Sequence, residues 1–166
     1  MALRIFVAGG TFDKEYDELT GTLRFNATHV PEMLRRGRSM VDVEVEVLMM
    51  IDSLEMTAAH RETILEACRR CAEGQLVITH GTDTMVETAQ LLQRAALDKT
   101  IVLTGAMVPY AFGSSDGLFN LGSALSFAQT LPAGVYVAMN GRVFPADRVR
   151  KNREVGVFEE WPERAE

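Results

Sequence analysis

Cysteine, histidine and basic residues are all scarce in this chain, and each scarcity removes a class of chemistry. The two cysteines, Cys68 and Cys71, form a C-x-x-C. A redox pair needs that motif at the N-terminus of a helix that follows a strand. Here it falls late in a helical pattern, on the face shared by Ile64 and Ala67, so buried packing is the better account. The three histidines, His29, His60 and His80, lack metal-ligand spacing, and no metal is expected. Lysine and arginine together number 17 against 23 acidic residues, a net charge of −6. Phosphate binding needs a basic surface, so nucleic acid is excluded as a main partner. No apolar run approaches the ~18 residues of a membrane span. The N-terminus enters a strand directly, without signal-peptide layout, and a cytoplasmic location is expected. What remains is 166 residues, 47% apolar and 24% charged, enough for one ordinary globular domain with a proper core.

One stretch organises the rest, residues 76–89, Leu-Val-Ile-Thr-His-Gly-Thr-Asp-Thr-Met-Val-Glu-Thr-Ala. It reads as a short apolar strand, a tight turn at His80-Gly81 and then a helix. Met85, Ala89, Leu92 and Ala96 recur at helical spacing and mark its buried stripe. Thr84 with Glu87 three residues later predicts a capping box at its start. Thr82 and Asp83 are left over, a hydroxyl and a carboxylate held at the end of a buried strand. Gly-Thr-Asp-Thr is equally readable as a structural turn with Asp83 as N-cap, so this stretch does not decide the matter alone.

The same alternation runs along the whole chain. Residues 3–8 form an apolar strand ending in Gly9-Gly10-Thr11, where two glycines permit a sharp turn and close backbone approach. Residues 13–22 are polar and acidic, carry Lys14 and Tyr16, and predict an exposed loop able to act as a lid. A short helix is expected from about Thr28, with Pro31 in its first turn, to Gly37. Residues 41–50 alternate and then turn wholly apolar, as in a strand entering the core from an edge, and end in Ile51-Asp52-Ser53. A helix over residues 57–73 with Gly74 as cap follows. A strand over 101–104 ends in Gly105-Ala106-Met107. Asp116 is a good N-cap for a helix burying Leu118, Leu121, Leu125 and Ala128. Residues 134–139 form the last strand, and the remainder is basic up to Arg153 and acidic beyond.

Strands alternating with helices predict an α/β fold: a single open, mostly parallel sheet with helices on both faces, built from β-α-β units with right-handed crossovers. Ligands of such sheets bind beyond the carboxyl ends of the strands. Four loops meet there: Gly9-Gly10-Thr11, Ile51-Asp52-Ser53, His80-Gly81-Thr82-Asp83 and Gly105-Ala106-Met107. Three of the four carry a hydroxyl and two a carboxylate.

These loops resemble the bacterial-type L-asparaginase family. Gly-Gly-Thr11 resembles its first threonine motif and His80-Gly-Thr-Asp-Thr-Met85 its second. The likeness continues in Asp52-Ser53, in Thr104-Gly-Ala-Met107 with Pro109, in Asp116-Gly-Leu-Phe-Asn120 and in Val149-Arg150-Lys151. It implies Thr11 as the nucleophile, Tyr16 as a lid tyrosine assisting it, and Thr82 with Lys151 as a second hydroxyl–lysine pair beside Asp83. Asp83 would also hold the substrate's α-ammonium and Ser53 its α-carboxylate, with Gly10, Asp52, Gly81 and Ala106 completing the substrate site. The family's usual C-terminal domain would begin where this chain stops, so residues 1–166 are expected to form one N-terminal-type domain, as in short asparaginases. Leu54 stands where many members have a polar contact to substrate, and the lid is shorter than usual.

The chemistry agrees with those roles. A threonine hydroxyl is a poor nucleophile until a base takes its proton or a neighbour polarises it. Lys14, Lys99 and Lys151 are the only lysines, so candidates for that base are few. A carboxylate favours the ammonium form, which suits Asp83 to orienting Lys151. Apart from the resemblance, Lys151 reads as a surface residue of the basic run 148–153. The expected reaction is hydrolysis of L-asparagine to L-aspartate and ammonia without a cofactor, by a homo-oligomer. The alternatives are an amidase for glutamine or another small amide, or a module that binds asparagine or aspartate without turnover.

Overall fold

A six-stranded sheet forms the spine of the computed structural model, which describes residues 2–162. In chain order the strands and helices are β1 (Leu3–Gly9), β2 (Lys14–Asp17), β3 (Thr22–Phe25), α1 (Val30–Arg36), β4 (Val43–Ile51), α2 (Ala58–Arg70) and β5 (Gln75–Thr79). Then come α3 (Met85–Arg94), β6 (Thr100–Thr104), α4 (Gly117–Thr130), β7 (Gly134–Met139), β8 (Arg142–Pro145), β9 (Val149–Asn152) and β10 (Val157–Glu160). The sheet order is β4-β1-β5-β6-β7-β8, parallel except for the antiparallel edge pair β7–β8. The α/β fold with an open, mostly parallel sheet is therefore as the sequence predicts, and β4 lies at an edge.

Period-two alternation sorts β1 between two cores. Phe6 and Ala8 pack with Ile64 and Cys68 of α2 and with Met85, Ala89 and Leu92 of α3. Leu3, Ile5 and Val7 pack with Met33 of α1 and with Leu121, Ala124 and Leu125 of α4. Each fully buried leucine or phenylalanine in these layers contributes roughly 1.5–3 kcal/mol. Cys68 lies in the first core with its thiol pushed up to about 12 by burial, and both cysteines are free. No helix among the described residues is long and apolar enough to cross a membrane.

The topology also locates a crevice. From β1 the chain passes to β4 on one side, whereas from β5 it passes to β6 on the other. The connections after β1 and β5 therefore diverge, and a cleft opens between their carboxyl ends.

Several local expectations are corrected. Residues 13–22 are not an irregular loop: β2 and β3 form an antiparallel hairpin, with Tyr16 opposite Leu23. Thr84 makes no capping box with Glu87; its hydroxyl donates to the Ser53 carbonyl at 2.9 Å, and Glu87 pairs with Arg61. A capping box does form at α2, between Thr57 and His60, and that helix ends at Cys71 rather than Gly74. Ala96 lies past the end of α3 with φ 49° and is exposed, so the buried stripe stops at Leu92. Asp116 does not cap α4 through its side chain; its carboxylate accepts the N–H groups of Met107 and Val108. Leu118 is only half-buried. The charged tail supplies β8, β9 and β10, of which the last two pair as a second hairpin.

Candidate active site

The turn after β5 is held from beneath by His80, which is completely buried. Its Nδ1 lies 2.8 Å from the Gly81 carbonyl and its Nε2 2.8 Å from Thr88 Oγ1. A carbonyl can only accept, so Nδ1 carries the proton and Nε2 accepts from the Thr88 hydroxyl. Burial lowers the imidazole pKa to about 4, with the nearby Arg61 charge pushing the same way, so His80 stays neutral and acts as a scaffold.

Close backbone approach brings the loops together. Gly10 has φ 78°, and a Cβ there would fall on the backbone of Gly81. Gly81 in turn has no room for a Cβ against Ser53. Three loop ends are thus stacked, with bare backbone meeting at Gly10 and Gly81 and the Ser53 side chain closing the other face of Gly81, which sets the Thr11 turn beside the Thr82 turn. Gly105, after β6, lies against the carbonyl of His80, with Ala106 buried beside it.

Around this stack the functional groups converge. Lys151 Nζ donates to Thr82 Oγ1 at 2.8 Å and to Asp83 Oδ1 at 2.9 Å. Its side chain is 11% exposed, so the contact is largely shielded from water. Lys151 stands on β9 and is brought in by the β9–β10 hairpin, whose Phe158, opposite Lys151, is anchored in the core. Thr11 opens a 3-10 turn directly after Gly10 and is half-buried, and no hydrogen bond engages its hydroxyl among the described residues. Ser53 is buried; its Oγ accepts from Thr84 N–H at 3.3 Å and keeps its own proton to donate. Asp52 is engaged within the protein, taking Lys14 Nζ at 2.5 Å and Leu54 N–H at 2.9 Å. Tyr16 is not among the converging groups: it is 57% exposed on β2, with its hydroxyl toward Gly21 in the hairpin's turn.

Two cations reach this region that sequence reasoning did not place there. Arg153 donates to the Asp83 carbonyl at 2.9 Å, and Lys14 binds Asp52. Neither carries a sequence signal, since each sits in a charged run that reads as surface. Among the described residues no cluster of three or more histidine, cysteine or acidic side chains could hold a metal ion. The arrangement suits acyl transfer: hydroxyls on two adjacent turns, an ammonium held against one of them, and a carboxylate that orients the ammonium.

Residues 2–158 match the family model for the N-terminal region of asparaginase. The chain belongs to the asparaginase family. It is 32% identical over 160 residues to L-asparaginase 1 of Escherichia coli, which covers 89% of this chain and 47% of that protein. It is 35% identical over 137 residues to a glutaminase-asparaginase of Pseudomonas fluorescens, covering 76% and 34% respectively. Its fold superposes on the thermostable L-asparaginase of Thermococcus kodakarensis with a TM-score of 0.86 at 28% identity, over 98% of this chain and 52% of that one. The chain spans about half or less of the length of these asparaginase-family relatives.

Proposed function

We propose that this asparaginase-family domain hydrolyses L-asparagine to L-aspartate and ammonia through a threonine acyl-enzyme, with no cofactor. The observation that carries the reading is the Thr82–Lys151–Asp83 contact, stacked through Gly81 and Gly10 against Thr11. Thr11 Oγ adds to the side-chain amide carbon while Tyr16 assists removal of its proton. Collapse of the tetrahedral adduct breaks the C–N bond, and the leaving nitrogen takes up the proton released from Thr11 and departs as ammonia. Water, activated at Thr82 and Lys151, then cleaves the ester and releases aspartate. Asp83 takes the substrate's α-ammonium as well as Lys151, and the free Ser53 proton meets its α-carboxylate. Gly10, Gly81 and Ala106 line the reacting amide. Asp52 contributes to the same binding loop.

Ammonia release from the purified protein tests this directly. Turnover of L-asparagine supports it; binding of aspartate with no turnover of any amide establishes a sensor instead. The glutaminase-asparaginase relative makes glutamine the necessary parallel substrate. Most soluble oligomers are symmetric homo-oligomers, two-fold dimers being the commonest. We therefore expect a homo-oligomer of even number. A light-scattering mass of 18.4 kDa at working concentration excludes it.

A further inference from the structure

Lys14 joins the Thr11 turn to the lid hairpin, and the mechanism above makes no use of it. Its ammonium lies 2.5 Å from Asp52 Oδ2, and its side chain is 17% exposed. The second Asp52 oxygen accepts the Leu54 N–H and so closes the turn that contains Ser53. Exposed lysine–carboxylate pairs contribute little, because water and side-chain entropy compete with them. This pair is shielded on the lysine side and shares its carboxylate with a backbone cap, which makes both bonds charge-assisted. The Asp52 carboxyl is held below its ordinary range, first by the Lys14 bond and then by Leu54 N–H. The ammonium also lies 5.6 Å from the centre of the Phe25 ring, so it touches β3 as well as β2.

Strand alternation decides what Lys14 directs. Successive side chains of β2 point to opposite faces. Glu15 turns toward α1, where its carboxylate lies 3.1 Å from His29 Nε2. Lys14 and Tyr16 share the other face; at its root Lys14 meets Asp52 beside the Ser53 loop, whereas the Tyr16 hydroxyl lies toward Gly21 at the hairpin's tip. One residue earlier, buried Asp13 accepts His29 N–H at 2.7 Å and the Thr28 hydroxyl at 2.8 Å. The root of the hairpin is therefore fixed on both sides. Of these contacts, the one made by Lys14 reaches the site.

We propose that Lys14 is a positioning residue: its bond to Asp52 locks the β2–β3 hairpin, which carries Tyr16, onto the Ser53 turn. Its kinetic consequence rests on the amidase reading above, whereas its structural consequence rests on geometry alone.

The test is a mutant cycle read by kinetics and by hydrogen exchange. Lys14→Met should lower kcat/KM for L-asparagine by ~10²-fold, the scale of losing one positioned proton-transfer group. Exchange should quicken over residues 14–17 and 53–55 while β1 and β5 stay protected. In the Lys14→Met background, Tyr16→Phe should cost less than about 2-fold more, because coupled residues are not additive. Asp52→Asn should likewise add little to Lys14→Met, and Lys14→Arg should restore most of the activity. Equal losses from Tyr16→Phe in both backgrounds overturn the proposal, as does unchanged exchange in the hairpin. Should Lys14→Met fail to fold, Asp52→Asn carries the same cycle with Tyr16→Phe. A wild-type protein that releases no ammonia overturns the amidase reading instead, and exchange alone then decides whether the clamp exists.

Discussion

Thr82 receives an N–H bond from Lys151 and gives its own hydroxyl proton only to a weak acceptor, Met107 Sδ, at 3.7 Å. Among the described residues Thr11 has no such partner, and on the proposed reading Tyr16 serves it. On the proposed reading both hydroxyls act on reacting atoms, so neither can be replaced by a neighbour. Thr11→Ala and Thr82→Ala should each lower kcat by at least ~10³-fold, about 4 kcal/mol of transition-state stabilisation. Thermal midpoints should stay close to wild type, since a hydroxyl at a loop end supports little of the core. Near wild-type turnover in either variant removes that threonine from the chemistry. These two residues and Asp83 were legible as hydroxyls and a carboxylate left over at strand ends. Lys151 was not legible from pattern, because β9 lies inside a basic run. Its alternation held a faint signal, for Val149, two residues earlier on the same face, is buried. Arg153 and Lys14 had no signal, as their partners lie 70 and 38 residues away in sequence.

At the scale of elements, strand and helix identities followed from apolar periodicity, and helix caps did not. Thr84 and Asp116 both have the right chemistry for an N-cap, yet each side chain is recruited by a neighbouring loop instead. Local propensity gave way to tertiary demand where loops meet at the site. The acidic stretch after Thr11 concealed a hairpin because its strands bury almost nothing, so alternation had no apolar mark. Glycines were the better guide. Gly10→Ala combines a left-handed φ of 78° with a Cβ that falls on the Gly81 backbone. Backbone strain of ~1–3 kcal/mol and overpacking of similar size should together lower stability by at least about 2 kcal/mol. Gly74→Ala is the control, since a Cβ there meets nothing and no unusual φ is required; it should change stability by less than about 0.5 kcal/mol. Paired denaturation curves check both. Equal stability of the two variants removes the argument that bare backbone contact builds the site.

For the molecule as a whole, buried His80 ties folding to pH. Unfolded, its imidazole titrates at 6.5, whereas folded it is held at about 4. Between those values the unfolded chain binds more protons than the folded one, so stability rises with pH across this window. Acidification from about 6.5 to about 4 should therefore cost on the order of 3 kcal/mol from this group, at ~1.36 kcal/mol per pH unit. Asp52 and Glu73, held below their ordinary values by Lys14 and Arg4, add losses as pH falls further through the carboxylate range. Asp13 works in the opposite sense. Burial raises its pKa, so protonation in mild acid relieves a buried charge and partly offsets the loss. Because His80 carries the Gly81-Thr82 turn, the active-site loops should lose order along with the fold. Thermal midpoints taken between about pH 7 and about pH 4.5 should fall steadily for the wild type and less steeply for His80→Gln. A wild-type midpoint that stays level across that range contradicts a neutral, buried His80.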